Sequence, residues 1–177
     1  MRAIPGLSLL ALAAWHVSAC APARADLPAR PDGPVFDQAN IIPPLDEVRL
    51  DQELRDYHRT SSRAIVVATV TSLEDRPIEA YATDLFNRWG IGDRKSNAGL
   101  LLLIAPNERK VRIEVGKGLE VTIPDTVAAQ ILNDAVLPRF RSGDIAGGIS
   151  EGVDALITVS ECRSGESGAT CARELAR

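Results

Sequence analysis

Histidine and cysteine are scarce in this 177-residue chain, which has two of the first and three of the second. A histidine-rich zinc site is therefore excluded, and a Ser-His-Asp relay would have to use His58, which reads as exposed helix surface. Basic residues are also too few: 20 Lys and Arg stand against 24 Asp and Glu, so no excess of positive charge is available for phosphate backbones and no nucleic-acid partner is expected. Beyond the first twenty residues no apolar run approaches the ~20 positions that a membrane helix needs. No calcium loop of EF-hand form is present. Gly90-Ile-Gly92 and Gly116-Lys-Gly118 each lack the third glycine of a dinucleotide loop and read as turns. Cys171 and Arg177 match the spacing of cysteine phosphatases, but no strand precedes the cysteine, and the match is taken as coincidence.

Residues 1–19 have the character of an export signal: Arg2 is followed by a short apolar run from Leu7 to Trp15. Val17-Ser18-Ala19-Cys20 resembles a bacterial lipobox, which is cut before a cysteine that then carries lipid; Ala23-Arg24-Ala25 offers an ordinary cut before Asp26. Either implies export, and the first makes Cys20 a lipid anchor. Residues 20–34, rich in Ala, Pro, Arg and Asp, read as a flexible tether. In an oxidising compartment Cys162 and Cys171 are expected to close a small disulfide loop in the tail, residues 161–177; the alternative is two free thiols.

Order is expected to begin near Val35-Phe36-Asp37. After Pro43-Pro44, Leu45, Val48, Leu54 and Tyr57 suit a helix, and Ala64 to Val70 a buried strand. Pro77 opens the clearest helix, with Ile78, Tyr81, Ala82, Leu85, Phe86 and Trp89 on one face and Gly90 at the left-handed cap. Gly99 to Ala105 follows as a buried strand, and Lys110 to Val115 as a half-exposed one after a tight turn. A helix from Pro124 to about Leu137 and another capped by Asp144 complete residues 35–160. The pattern predicts a single domain of α/β class, a three-layer α/β/α sandwich around a small mixed β-sheet.

Connectivity suggests where polar groups converge. A helical crossover makes the strand at Gly99 parallel to that at Ala64, and a hairpin makes the next one antiparallel. The Gly90–Ala98 loop and the Gly116–Glu120 turn should therefore share one sheet edge. Asp93, Asn97, Glu120 and Asp125 become candidate oxygen ligands for calcium or magnesium. The alternative is local: turn formers at Asp93 and Asn97, a solvated Glu120, and Asp125 at a helix N-terminus.

Several motifs together, Val35-Phe-Asp37, Ile78-Glu-Ala-Tyr-Ala82, Leu85-Phe86, Trp89-Gly-Ile-Gly92, Asn97-Ala-Gly-Leu-Leu-Leu-Leu-Ile104 and Arg112-Ile-Glu-Val-Gly-Lys-Gly-Leu-Glu120, resemble the TPM domain. The resemblance implies an exported or membrane-tethered domain like those of bacterial envelope proteins and of thylakoid-lumen proteins linked to photosystem repair. It implies divalent-metal binding or phosphatase activity by analogy with some relatives, and adds Asp37 to the candidate ligands beside Asp93, Asn97 and Glu120. Ala98 stands where the family often has asparagine, which weakens any metal site. Many relatives carry a carboxyl-terminal membrane helix; here the lipid on Cys20 is expected to provide attachment. The expected role is non-enzymatic, with no catalytic residue assigned: assisting a membrane protein complex of respiratory or photosynthetic kind. A metal-dependent phosphatase and a purely structural interaction module are the alternatives.

Overall fold

The computed structural model describes residues 27–93 and 95–162. Its centre is β3 (Gly99–Ala105), every residue of which is buried. Five successive aliphatic residues without a charge cannot leave either face in water, so layers form on both sides. Leu100, Leu102 and Ile104 face one core with Leu50, Leu54, Val127, Ile149 and Leu156. Leu101, Leu103 and Ala105 face a second core with Tyr81, Leu85 and Trp89. Each buried aliphatic side chain contributes on the order of 1.5–3 kcal/mol.

The sheet holds four strands side by side in chain order, the first of them β1 (Val35–Asp37). The strand β2 (Ala64–Thr69) runs parallel to β3, with Ala64 opposite Gly99, and β4 (Lys110–Val115) returns antiparallel, with Leu100 opposite Val115. The helix α2 (Ile78–Trp89) covers one face. On the other lie α1 (Pro44–Ser61), α3 (Asp125–Ile131), α4 (Leu137–Arg141) and α5 (Ile145–Ser160). This is the expected three-layer arrangement.

Four details differ from the sequence reading. Val35–Asp37 is not merely where order begins but a short edge strand, β1, parallel to β2. On α1 the buried stripe is Leu50, Leu54 and Tyr57, at four- and three-residue spacing, whereas Leu45 and Val48 are 86% and 66% exposed. Both lie on the far side of the helix cylinder from that stripe. The helix expected from Pro124 to Leu137 runs on to Arg141 through a π-helical turn, Leu132–Val136. Pro138 has no N–H to give and its ring crowds the carbonyl four residues back, and a widened turn relieves that conflict. Asp144 caps α5 as expected, its Oδ1 accepting from the Gly147 amide at 2.9 Å.

The fourth difference concerns the tether expected over residues 20–34. Residues 27–34 are laid against the domain: Leu27 packs on the α2 core, the Trp89 indole N–H donates to the Pro28 carbonyl at 2.9 Å, and Arg55 donates to the Asp32 carbonyl. A composition of Pro, Ala and charge disguises this, because one leucine and one carbonyl make the attachment. Residues 1–26, with Cys20 and the signal, and residues 163–177, with Cys171, lie outside the described residues. Among the described residues no helix is long and apolar enough to cross a membrane.

Candidate functional site

The end of α2 sets the path of the loop beneath it. Gly90 takes a left-handed conformation (φ 60°), and the Ile91 amide reaches back to the Phe86 carbonyl at 3.2 Å, closing the last turn. Asp93 then organises the next residues. Its Oδ1 accepts from the amides of Lys95 (2.5 Å) and Ser96 (3.0 Å), its Oδ2 accepts from the Ser96 hydroxyl (2.8 Å), and its own carbonyl accepts from the Asn97 amide (2.9 Å). Asn97 is left-handed (φ 48°), a conformation asparagine tolerates well.

The loop meets the turn after β4, as connectivity predicts. The Gly118 amide donates to the Asn97 carbonyl at 3.2 Å, and the Gly116 amide to the Gly99 carbonyl at 2.8 Å. The backbones touch: a Cβ on Gly118 would lie 1.9 Å from the Ser96 carbonyl oxygen, and one on Gly116 2.3 Å from that of Asn97. Leu119 and Ile123 are buried and pin the turn to the core, leaving Glu120 exposed and Val121 91% exposed between them.

The candidate ligands do not share one sphere. Glu120 and Asp125 line a cleft of about 430 Å³ with Arg112 and Glu114, and Glu114 is already held by Arg112 (2.9 Å) and the Thr83 hydroxyl (2.7 Å). Asp93 instead lines a cavity of about 340 Å³ formed with Arg30, Arg55, His58 and Trp89. Asp37 is on the opposite sheet edge. Because β1 is parallel to β2, Asp37 pairs with Thr69, five residues or roughly 17 Å beyond the Ala64–Gly99 register. There its Oδ2 accepts from the Ile42 amide (2.8 Å), while Oδ1 takes the Thr69 hydroxyl (2.5 Å) and the Ile41 amide (3.2 Å), so it shapes the turn into α1. Placing Asp37 with Asp93 and Asn97 is thus corrected by strand direction. Among the described residues no three His, Cys, Asp or Glu side chains are grouped to hold a metal ion.

The cavity beside Trp89 was not foreseen, because it depends on the docking of residues 27–34. The available signal was an indole N–H at a helix end, which needs an acceptor when buried. His58 is exposed and donates through Nδ1 to the Arg63 carbonyl at 3.0 Å, consistent with a surface role.

The hydrogen bonds from Ser96 and Lys95, first of all from the Ser96 amide, hold the Asp93 carboxyl below its ordinary value of 3.8. A depressed folded value means that the loop gains from the charged carboxylate above the unfolded value and loses that gain as pH falls through the lower folded one. Asp93→Ala should therefore speed exchange of the Lys95 and Ser96 amides at neutral pH, with little change in the thermal midpoint. In the unaltered protein the same loss of protection, measured against the intrinsic exchange rate at each pH, should appear only below pH 3.8. Exchange at these two amides that ignores both changes would remove Asp93 as organiser.

A family model described as the TPM domain matches residues 35–159. None of the curated proteins matches the chain. Among solved structures, the N-terminal domain of a P. gingivalis protein, determined by solution NMR, is 37% identical, with a TM-score of 0.66 over 71% of this chain and 80% of that one. The N-terminal domain of the cg2496 protein of Corynebacterium glutamicum is 20% identical with a TM-score of 0.59, covering 81% and 90% of the two chains. The BA42 protein of the psychrophilic Bizionia argentinensis is 19% identical with a TM-score of 0.59, covering 67% and 81%. The last two bear on the fold alone.

Proposed function

Because the chain belongs to the TPM domain family, we propose that it is a non-enzymatic module of the cell envelope, anchored through Cys20, that assists assembly or maintenance of a membrane protein complex. One observation carries the reading. The best-built feature of the polar edge is an interlock of two backbone loops, and the Asp93 carboxylate is turned into its own loop and not toward a reacting centre. Such an edge carries no side chain poised to transform a substrate, which favours a non-enzymatic module. A respiratory or photosynthetic complex is the class of partner that the family likeness favours. Extraction of the full chain from membranes in mild detergent is expected to bring a membrane complex with it, and the Cys20→Ser chain should lose both. Recovery of the unaltered protein in the soluble fraction would overturn the reading.

A second reading rests on the cleft shared by Glu120 and Asp125, which supports a two-carboxylate site for calcium or magnesium completed by water. Such a site is weak, with dissociation constants on the order of 10⁻⁴–10⁻³ M, the range of the loosest calcium modules. Calorimetric titration should show heat at millimolar metal that Glu120→Ala abolishes, and silence in the unaltered protein would dispose of it. A metal-dependent phosphatase would require Asp93 to join Glu120 and Asp125 on one ion. Their division between two cavities argues against that alternative.

A further inference from the structure

The docking of residues 27–34 bears on how the domain stands on its membrane. Seven residue steps separate Cys20 from Leu27, a span of at most about 25 Å when fully extended. Leu27 and Pro28 are held at the carboxyl end of α2, against Trp89. That is the sheet edge at which β2 and β3 begin and β4 ends, because Ala64 lies opposite Gly99 and the Gly116 amide reaches the Gly99 carbonyl. The strands β2 and β3 are six and seven residues long, so the other edge lies roughly 17–20 Å farther along them.

The near edge carries long cationic side chains. Arg30 belongs to the docked segment, Arg63 precedes β2, Arg88 lies in the last turn of α2, Lys95 is in the loop and Lys117 in the turn after β4. None of these five has an ion-pair partner within 4 Å among the described residues, whereas Arg55 and Arg59 are held by Asp51 and Asp56. Acidic side chains are present on this edge too: Asp32, Asp93, Glu120, Asp125 and Glu161. Asp93 is turned into its loop, and Glu120 and Asp125 flank Arg112 in their cleft. The five acids named balance the five cations, but the Lys and Arg stems are longer than those of Asp and Glu and carry their charge farther from the backbone, and phosphate oxygens are their natural acceptors. Val121, 91% exposed on the same turn, is an apolar tip suited to an interface.

We propose that the edge formed by residues 27–34, the Gly90–Asn97 loop and the Gly116–Glu120 turn faces the phospholipid headgroups of the membrane that holds the Cys20 lipid. The inference rests on the anchoring reading above. It commits to the bilayer as occupant, because this edge is where the segment that leads to Cys20 is fastened to the domain, at Leu27 and Pro28, and because its cationic stems match a surface of phosphates. The opposite edge, with Asp37 and the β3–β4 hairpin, is left pointing away and free for a protein partner.

The chain contains only three lysines, which make the test internal: Lys95 and Lys117 lie on the near edge and Lys110 at the far end of β4. Lipidated full-length protein would be bound to phosphatidylglycerol–phosphatidylethanolamine vesicles, floated, and treated with a water-soluble amine reagent read by mass spectrometry. Labelling of Lys95 and Lys117 relative to Lys110 should fall at least threefold against the detergent-solubilised protein. In Arg63→Glu/Arg88→Glu the protection should weaken while flotation persists. A ratio unchanged on floated vesicles, or protection of Lys110 instead, overturns the orientation and leaves anchoring intact. Failure to float overturns anchoring and the orientation with it.

Discussion

Gly99→Ala is expected to destabilise the domain by roughly 3 kcal/mol, at the upper end of the range for overpacking a close-packed interior. A Cβ there would lie 2.5 Å from the Ile91 carbonyl oxygen, 2.7 Å from its carbon and 2.8 Å from the Gly92 nitrogen, all of them backbone. No rotamer change can yield, so either the loop lifts from the sheet or β3 shifts in both cores. Gly118→Ala meets the same obstacle at the Ser96 oxygen, but on an exposed turn that can swing away, and a loss of about 1–2 kcal/mol is expected. Neither glycine has a positive φ, so the effect is close approach and not backbone strain. Lys117→Ala, one residue away and exposed, should stay within about 0.5 kcal/mol. Chemical denaturation of the three variants checks the ranking; a Gly99→Ala midpoint equal to that of Lys117→Ala would mean the loop does not contact the strand.

Those glycines also mark where sequence reading succeeds and where it stops. The meeting of the Gly90–Asn97 loop with the Gly116–Glu120 turn was legible, because it follows from strand direction and a tight hairpin, both written in hydrophobic period. The stripe of α2 was legible for the same reason, as were the all-apolar β3 and the alternating β4. What side chains do at the meeting was not legible. Asp93 turns inward because the amides of Lys95 and Ser96 both meet its Oδ1, a detail of a few dihedral angles. Asp37 joins the candidate ligands through the family resemblance alone, and Val35–Asp37 is too short to show a period; only backbone pairing with β2 makes it a strand and puts Asp37 at the far edge. On α1 the apolar residues occupy both sides of the helix, and pattern alone does not say that Leu50 is inside and Val48 outside.

Trp89→Ala should have the other large effect, a loss of about 3–5 kcal/mol. The indole is 1% exposed, meets the Phe36 ring edge-on at 5.3 Å, and donates to the Pro28 carbonyl, so one side chain ties β1, α2 and the amino-terminal segment together. Removing it leaves a cavity among three elements that cannot collapse on it together. Trp89→Phe separates the roles. It keeps an aromatic partner for Phe36 but has no donor, and a single hydrogen bond contributes about 1 kcal/mol. The loss should then be near 1–2 kcal/mol and concentrated in residues 27–34, whose amides exchange faster while those of β3 are unchanged. The lysine footprint should follow: with Leu27 and Pro28 released, the span to the anchor lengthens and the near edge is no longer held to the membrane. A Trp89→Phe protein with unaltered exchange over residues 27–34 would show that Leu27 packing alone secures the segment. A folded Trp89→Phe protein whose segment is released, yet whose Lys95 and Lys117 stay protected, would place the orientation in the cationic side chains and not in the docked segment.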